Sequence, residues 1–179
     1  GISSRRHLKI NCNNTSRKAT LPSTYTSRLA EFFGVMFGDG HISATQVTVT
    51  LGTKEQKYVR YVASLMSDIF NVKPSIFLKR NRITDSKYRM VYFGSVESVR
   101  WLLKEGMVHN KVRSQVDVPK WIYNQKNFMK SFLKGFFDTD GSVYALRFGI
   151  QISFTNRSRP ILRALQRMLQ KLEYNPSQV

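Results

Sequence analysis

The chain has 179 residues, enough for one domain or for two small halves sharing a core, and with 41% hydrophobic against 22% charged residues it has the apolar material to fold. Lys and Arg number 29 against 11 acids, a net charge of +18, so a polyanion is the first partner to expect and nucleic acid the first candidate. A single cysteine, Cys12, rules out an internal disulfide and a zinc finger; no apolar run approaches the roughly 18 residues of a membrane span, and the start has no secretory apolar stretch. The expected setting is intracellular and reducing, in a prokaryotic cytoplasm or nucleoid or an organelle matrix, with no membrane partner.

Residues 1–26 carry Arg5, Arg6, Lys9, Arg17 and Lys18, no acid and no apolar periodicity. They read as a basic arm, either a solvated tail or a DNA-tracking segment. From Ser27, an expected N-cap, Leu29, Phe32, Phe33, Met36 and Phe37 follow helical spacing up to Gly38-Asp39-Gly40. Thr45–Leu51 alternates as a strand, with Val47, Val49 and Leu51 on its apolar side. Thr53 and Gln56 form a capping-box pattern before a helix carrying Val59, Val62, Met66, Ile69 and Phe70, which Pro74 closes. Two strands, Ser75–Lys79 and Tyr88–Gly94, read as a hairpin; a helix over Ser95–Lys104 and a linker at Pro119-Lys120-Trp121 follow.

Then the pattern repeats. Phe128–Phe137 is again a short apolar helix, ending in Asp138-Thr139-Asp140-Gly141; Phe148, Ile150, Ile152 and Phe154 alternate as a strand; Ile161–Leu172 is an amphipathic helix. The expected organisation is a basic arm over 1–26, a first repeat over 27–118, a linker over 119–126 and a second repeat over 127–179. On its own internal template the second copy stops about fifty residues short.

In register, the two short helices place small residues at matched positions, Gly34 and Gly38 against Gly135 and Thr139. Small residues every fourth position let two backbones approach closely, so the helices are expected to pack together. Each then ends in a carboxylate, Asp39 and Asp140. Two anions at the negative ends of helix dipoles repel one another, and a hard divalent cation is the natural compensation. Ions so held can clamp the attacking and leaving oxygens of a phosphodiester, so the expectation is a nuclease.

These nonamers resemble the LAGLIDADG signature of homing endonucleases, and the chain after its arm is similar to the single-chain, two-repeat branch found in introns and inteins. The resemblance implies an α+β saddle of two αββαββα halves with antiparallel sheets and the two signature helices at the central seam, the second repeat apparently truncated. It further implies a monomer with pseudo-two-fold symmetry that cuts a long site in double-stranded DNA and leaves short 3′ overhangs. The implied cofactor is Mg2+ or Mn2+, with Ca2+ binding without supporting cleavage. Asp39 and Asp140 correspond to the metal ligands, joined by the backbone carbonyls of Gly38 and Thr139. Asn156 fits the polar position that orders water in the family; its first-repeat counterpart is Gly52, which has no side chain, so that half is weakened or relies on Gln46. The family's basic catalytic residue cannot be placed, with Lys79, Lys87 and Arg89 as candidates, and Asp138 reads as a helix-end contact.

Outward strand residues should face the groove: Gln46, Thr48 and Thr50 in the first half, Arg147, Gln151 and Ser153 in the second, with Arg80, Arg82 and Arg89 at the hairpin rim. Between Ser142 and Leu172 there are six basic residues and no acid. The alternatives are a non-cleaving binder on the same scaffold, an intron RNA maturase or a DNA-binding regulator, and, less specifically, a basic ribosome-associated protein.

Overall fold

The computed structural model describes residues 19–81 and 83–179. Most of the expected arm, with Cys12, lies outside the described residues. Its last residues are not an extended arm but pack on the body: Thr20 N–H donates to Phe70 O (2.8 Å), and Tyr25 stacks on Trp121 (4.4 Å between centroids) while its hydroxyl donates to Glu105.

Helix α1 spans Ser27–Gly38. Its N-cap is Thr26 rather than Ser27, with the threonine hydroxyl accepting from Leu29 N. Every residue from Leu29 to Phe37 is buried, so α1 runs through the middle of the core instead of lying on it by one face. Strand β1 (Gly40–Ile42), which sequence periodicity does not reveal, pairs antiparallel with β2 (Gln46–Gly52). Helix α2 (Gln56–Phe70) starts without the expected capping box: Glu55 is its N-cap and no side-chain cap bond forms. It ends at Asn71, whose left-handed conformation (φ 50°) turns the chain before Pro74. The hairpin β3 (Ser75–Arg80) and β4 (Lys87–Gly94) completes a four-stranded antiparallel sheet of order β1-β2-β4-β3. Val47, Val49, Leu51, Val91 and Phe93 form its core face.

Helix α3 (Val96–Lys104) is capped by Ser95, whose hydroxyl accepts from Ser98 N. A one-turn helix, α4 (Lys111–Ser114), and a 3-10 turn over Lys120–Asn124 lead into α5 (Lys126–Asp140), so the linker is short and structured. Trp121 anchors it, edge-on to Phe33 and Phe128. Strands β5 (Gly141–Leu146) and β6 (Gly149–Phe154) form a separate two-stranded sheet, followed by α6 (Arg159–Lys171). The order helix, two strands, helix thus occurs twice.

The second sheet departs from expectation in its burial. Alternation alone predicts that Ile150 and Ile152 face a core, yet they are 75% and 61% exposed, and Phe148 is 90% exposed. In the first sheet β2 is an interior strand flanked by β1 and β4; in the second, among the described residues, β6 has only β5 beside it, and its apolar side is largely uncovered apart from Phe154, which meets Phe136 and Phe137.

Candidate active site

The seam between α1 and α5 is built from backbone. A Cβ on Gly34 would overlap the carbonyl oxygen of Phe132 and lie 2.7 Å from Phe136 N; one on Gly135 would overlap Glu31 O and lie 3.0 Å from Val35 N. Only glycine permits this approach, as the spacing of small residues predicts. Alongside, Glu31 is buried yet satisfied, accepting from Tyr61 Oη (2.5 Å) and Lys134 Nζ (2.6 Å), and Lys134 also reaches Asp138 (2.9 Å). Burial alone would lower the Lys134 pKa, but these hydrogen bonds and the two acids raise it, so it remains an ammonium. Asp138 is thereby a helix-end ion-pair partner, as its position suggests.

The close crossing brings the C-terminal ends of α1 and α5 together. A Cβ on Gly38 would lie 2.8 Å from Thr139 Cβ and 3.6 Å from the carboxyl carbon of Asp140. Each half anchors its aspartate backbone alike: Thr50 N–H donates to Asp39 O (3.2 Å) and Thr155 N–H to Asp140 O (3.1 Å). Burial first, then repulsion from Asp140, pushes the Asp39 carboxyl up to about 6. Burial raises Asp140 as well, opposed by a hydrogen bond from Asn156 and by the nearby charge of Lys111.

Asn156 lies beside Asp140. Its Nδ2 donates to Asp140 Oδ2 (2.7 Å), and its Oδ1 accepts from Ser158 N (2.9 Å), which fixes the amide's orientation. The first half lacks this device. The matched bonds from Thr50 and Thr155 make Leu51, not Gly52, the residue corresponding to Asn156, and Leu51 is core. Gln46 cannot substitute: it stands four residues from Thr50, about 13 Å along an extended strand. The Thr139 hydroxyl donates back to Phe136 O (2.9 Å), and its side chain packs directly against Gly38.

A basic side chain that sequence reasoning missed, Lys111, lies beside the two carboxylates. Its Nζ donates to Met36 O (2.8 Å) and to Gly38 O, and burial lowers its pKa to about 8 against the opposing pull of Asp140 and Asp39. Asn110 caps α4 by accepting from Arg113 N (2.9 Å), and the His109 ring bonds Ile42 O at the end of β1 (3.0 Å), so the segment before Lys111 is held against the first sheet. Nothing local marks Lys111, since a four-residue helix has no periodicity to read. Lys79 and Lys87 stand instead on the β3–β4 hairpin, away from α1.

The expected DNA contacts divide. Gln46 and Thr50 are exposed on the outer face of the first sheet; Thr48 shares that face but is only 5% exposed, because it is the cross-strand partner of both His41 and Tyr92. Arg89 has the opposite parity, paired with Leu51 and Leu78 on the face of Val91, and Arg80 is ion-paired to Asp85. Arg82 lies outside the described residues. In the second half Gln151 and Ser153 share the outer face, and Arg147, in the hairpin turn, lies over the Phe148 ring (5.1 Å).

Three comparisons bear on this arrangement. Residues 127–178 match the family described as LAGLIDADG-like domain. Over 126 residues the chain is 25% identical to an A-type ATP synthase subunit of Pyrococcus abyssi (strain GE5 / Orsay), covering 70% of this chain but only 12% of that protein. Mesophilic variants of the homing endonuclease I-DmoI superpose with a TM-score of 0.56 at 16% identity, covering 82% of this chain and 77% of theirs. I-DmoI in complex with DNA and Ca superposes at 0.57 and 15% identity (82% and 72%), and its complex with DNA and Mn at 0.53 and 17% (82% and 77%). At these identities the superpositions show a shared fold.

Proposed function

Starting from a chain that belongs to the LAGLIDADG family, we propose that it is a site-specific endonuclease that hydrolyses phosphodiesters in double-stranded DNA with a divalent cation, Mg2+ or Mn2+. The observation that carries this reading is the convergence of Asp39 and Asp140 at the ends of two crossing helices: burial first, then repulsion from Asp140, raises the Asp39 carboxyl. A protein that only bound nucleic acid would gain nothing from two crowded carboxylates. The net charge of +18 supplies the attraction for the duplex. A long recognition site, short 3′ overhangs, residence in an intron or intein and action as a monomer complete the proposal, and rest on the family alone.

The residues fit a hard cation. Two carboxylates and the carbonyl oxygens of Gly38 and Thr139 make an all-oxygen donor set, the kind that Mg2+, Mn2+ and Ca2+ accept. When bound, such an ion neutralises charge at the scissile phosphate and makes water a better nucleophile.

The chain's own groups supply the rest. Asn156 Nδ2 pins one oxygen of Asp140, an orienting role of the kind second-sphere partners play. Lys111 holds a proton on Nζ at neutral pH, beside both carboxylates, where it can stabilise the negative charge that gathers on phosphate oxygens as the P–O bond breaks. The close backbones at the seam fix the two halves of the site relative to one another, so that little reorganisation is needed.

The test is incubation of the protein with a library of intron and intein insertion sites in Mg2+ or Mn2+, beside Asp39→Asn and Asp140→Asn. Discrete cleavage by the parent, lost in both variants while duplex binding persists, is the expected result. Tight binding of duplex or intron RNA with no nick under any divalent ion would favour the non-cleaving reading.

A further inference from the structure

The solvent side of the first sheet has a composition that bears on which base pairs it can read, an inference that rests on the DNA-binding reading above. Because Thr50 N–H bonds the Asp39 carbonyl, a duplex whose backbone lies at Asp39 continues over the outer side of β2. Strand pairing sets out that side in rows. Thr50 stands beside Met90 and Phe77, and Thr48 beside Tyr92. Phe77 is 49% exposed on an edge strand, stacked on Tyr92 (5.6 Å between centroids), with its outer side uncovered. An apolar patch on the outer side of a strongly cationic protein marks a contact surface. Among the described residues of these strands no arginine shares it, since Arg80 and Arg89 fall on the opposite parity; its one cation is Lys79, paired with Tyr88 at the end of the face beyond Phe77.

We propose that Phe77 and Met90, flanked by the hydroxyls of Thr50 and Tyr92, read thymine methyl groups in the major groove, so that the half-site under the first repeat is rich in A·T pairs. Guanine is recognised chiefly by Arg or Lys donors to O6 and N7; the rows of Thr50 and Thr48 carry none, Lys79 standing in the neighbouring outward row beside Tyr88, whereas the thymine C5 methyl is the one apolar feature the groove presents.

The experiment selects duplexes from a randomised library with the intact chain in chelator, so that no strand is cut, and then remakes the best duplex with deoxyuridine in place of thymidine. One half-site should be A·T-rich, and each methyl removed there should weaken binding about fourfold, the effect of one buried carbon. Phe77→Ala, at an exposed position that the fold does not need, should abolish the deoxyuridine effect, and Phe77→Arg should shift that half towards guanine and so identify it as the half beneath the first repeat. A selected duplex in which G·C pairs predominate in the half that Phe77→Arg alters, or one indifferent to deoxyuridine, overturns this assignment and leaves the DNA-binding reading intact. A library that yields no preferred duplex overturns both.

Discussion

Lys111 donates from its Nζ to the carbonyl oxygen of Gly38, the residue before Asp39, and so sets a tethered cation between two carboxylates that repel one another. It occupies one of the oxygens that would also serve a metal ion, so ammonium and divalent cation share one electrostatic role. Lys111→Met should lower the cleavage rate by about 10²–10³, the scale for losing a pre-placed charge stabiliser, with duplex affinity changed little. Single-turnover cleavage and a binding titration in Ca2+ separate the two. Equal loss of both would mean that Lys111 serves only to hold the fold.

The carboxylates make stability depend on pH in a definite direction. Asp39 titrates near 6 in the folded chain and near 4 when unfolded, so between about pH 4 and pH 6 the folded state binds more protons and stability falls as pH rises. In chelator, Asp39→Asn should therefore melt above the parent at about pH 7, and the difference should shrink towards pH 4, where the parent is protonated too. Melting curves across that range check the sign. An increment independent of pH would contradict the proposed strain.

The two halves of the site differ, and Asn156 carries the difference. Asn156→Ala removes the donor that orients Asp140 and should cost about 10–100-fold in metal affinity or activity. Isothermal titration with Mn2+ reads the first quantity and plasmid nicking the second. No change in either would remove Asn156 from the site.

The seam makes a prediction on stability alone. Gly34→Ala drives a Cβ into the backbone of α5 and should cost about 3 kcal/mol, the upper range for overpacking. Gly52→Ala meets nothing within 4 Å and should shift stability by less than about 0.5 kcal/mol. Urea denaturation of both variants checks the contrast.

Much of this is legible in the sequence because it is written in periodicity. The small residues of α1 and α5, the alternation of β2, and the repeated order of helix, strand and helix each follow from local spacing. What escapes has no local period. β1 is three residues long, and Lys111 reaches Gly38 across 73 positions of chain from a one-turn helix. The capping box at Thr53 does not form: the helix starts only at Gln56, with Glu55 as its N-cap. Parity is readable strand by strand, but the face of Arg89 follows from its pairing with Leu51, which its charge and its place near the hairpin rim do not reveal. The bare apolar side of β6 cannot be foreseen from its own alternation, since burial depends on neighbouring strands.

The most direct measurement is divalent-dependent scission of a selected duplex by the parent chain and by Asp39→Asn and Asp140→Asn, with binding followed in parallel. The account predicts that the parent cuts in Mg2+ or Mn2+ and that each substitution abolishes cutting while the duplex is still held. Unimpaired cutting by either variant would contradict it.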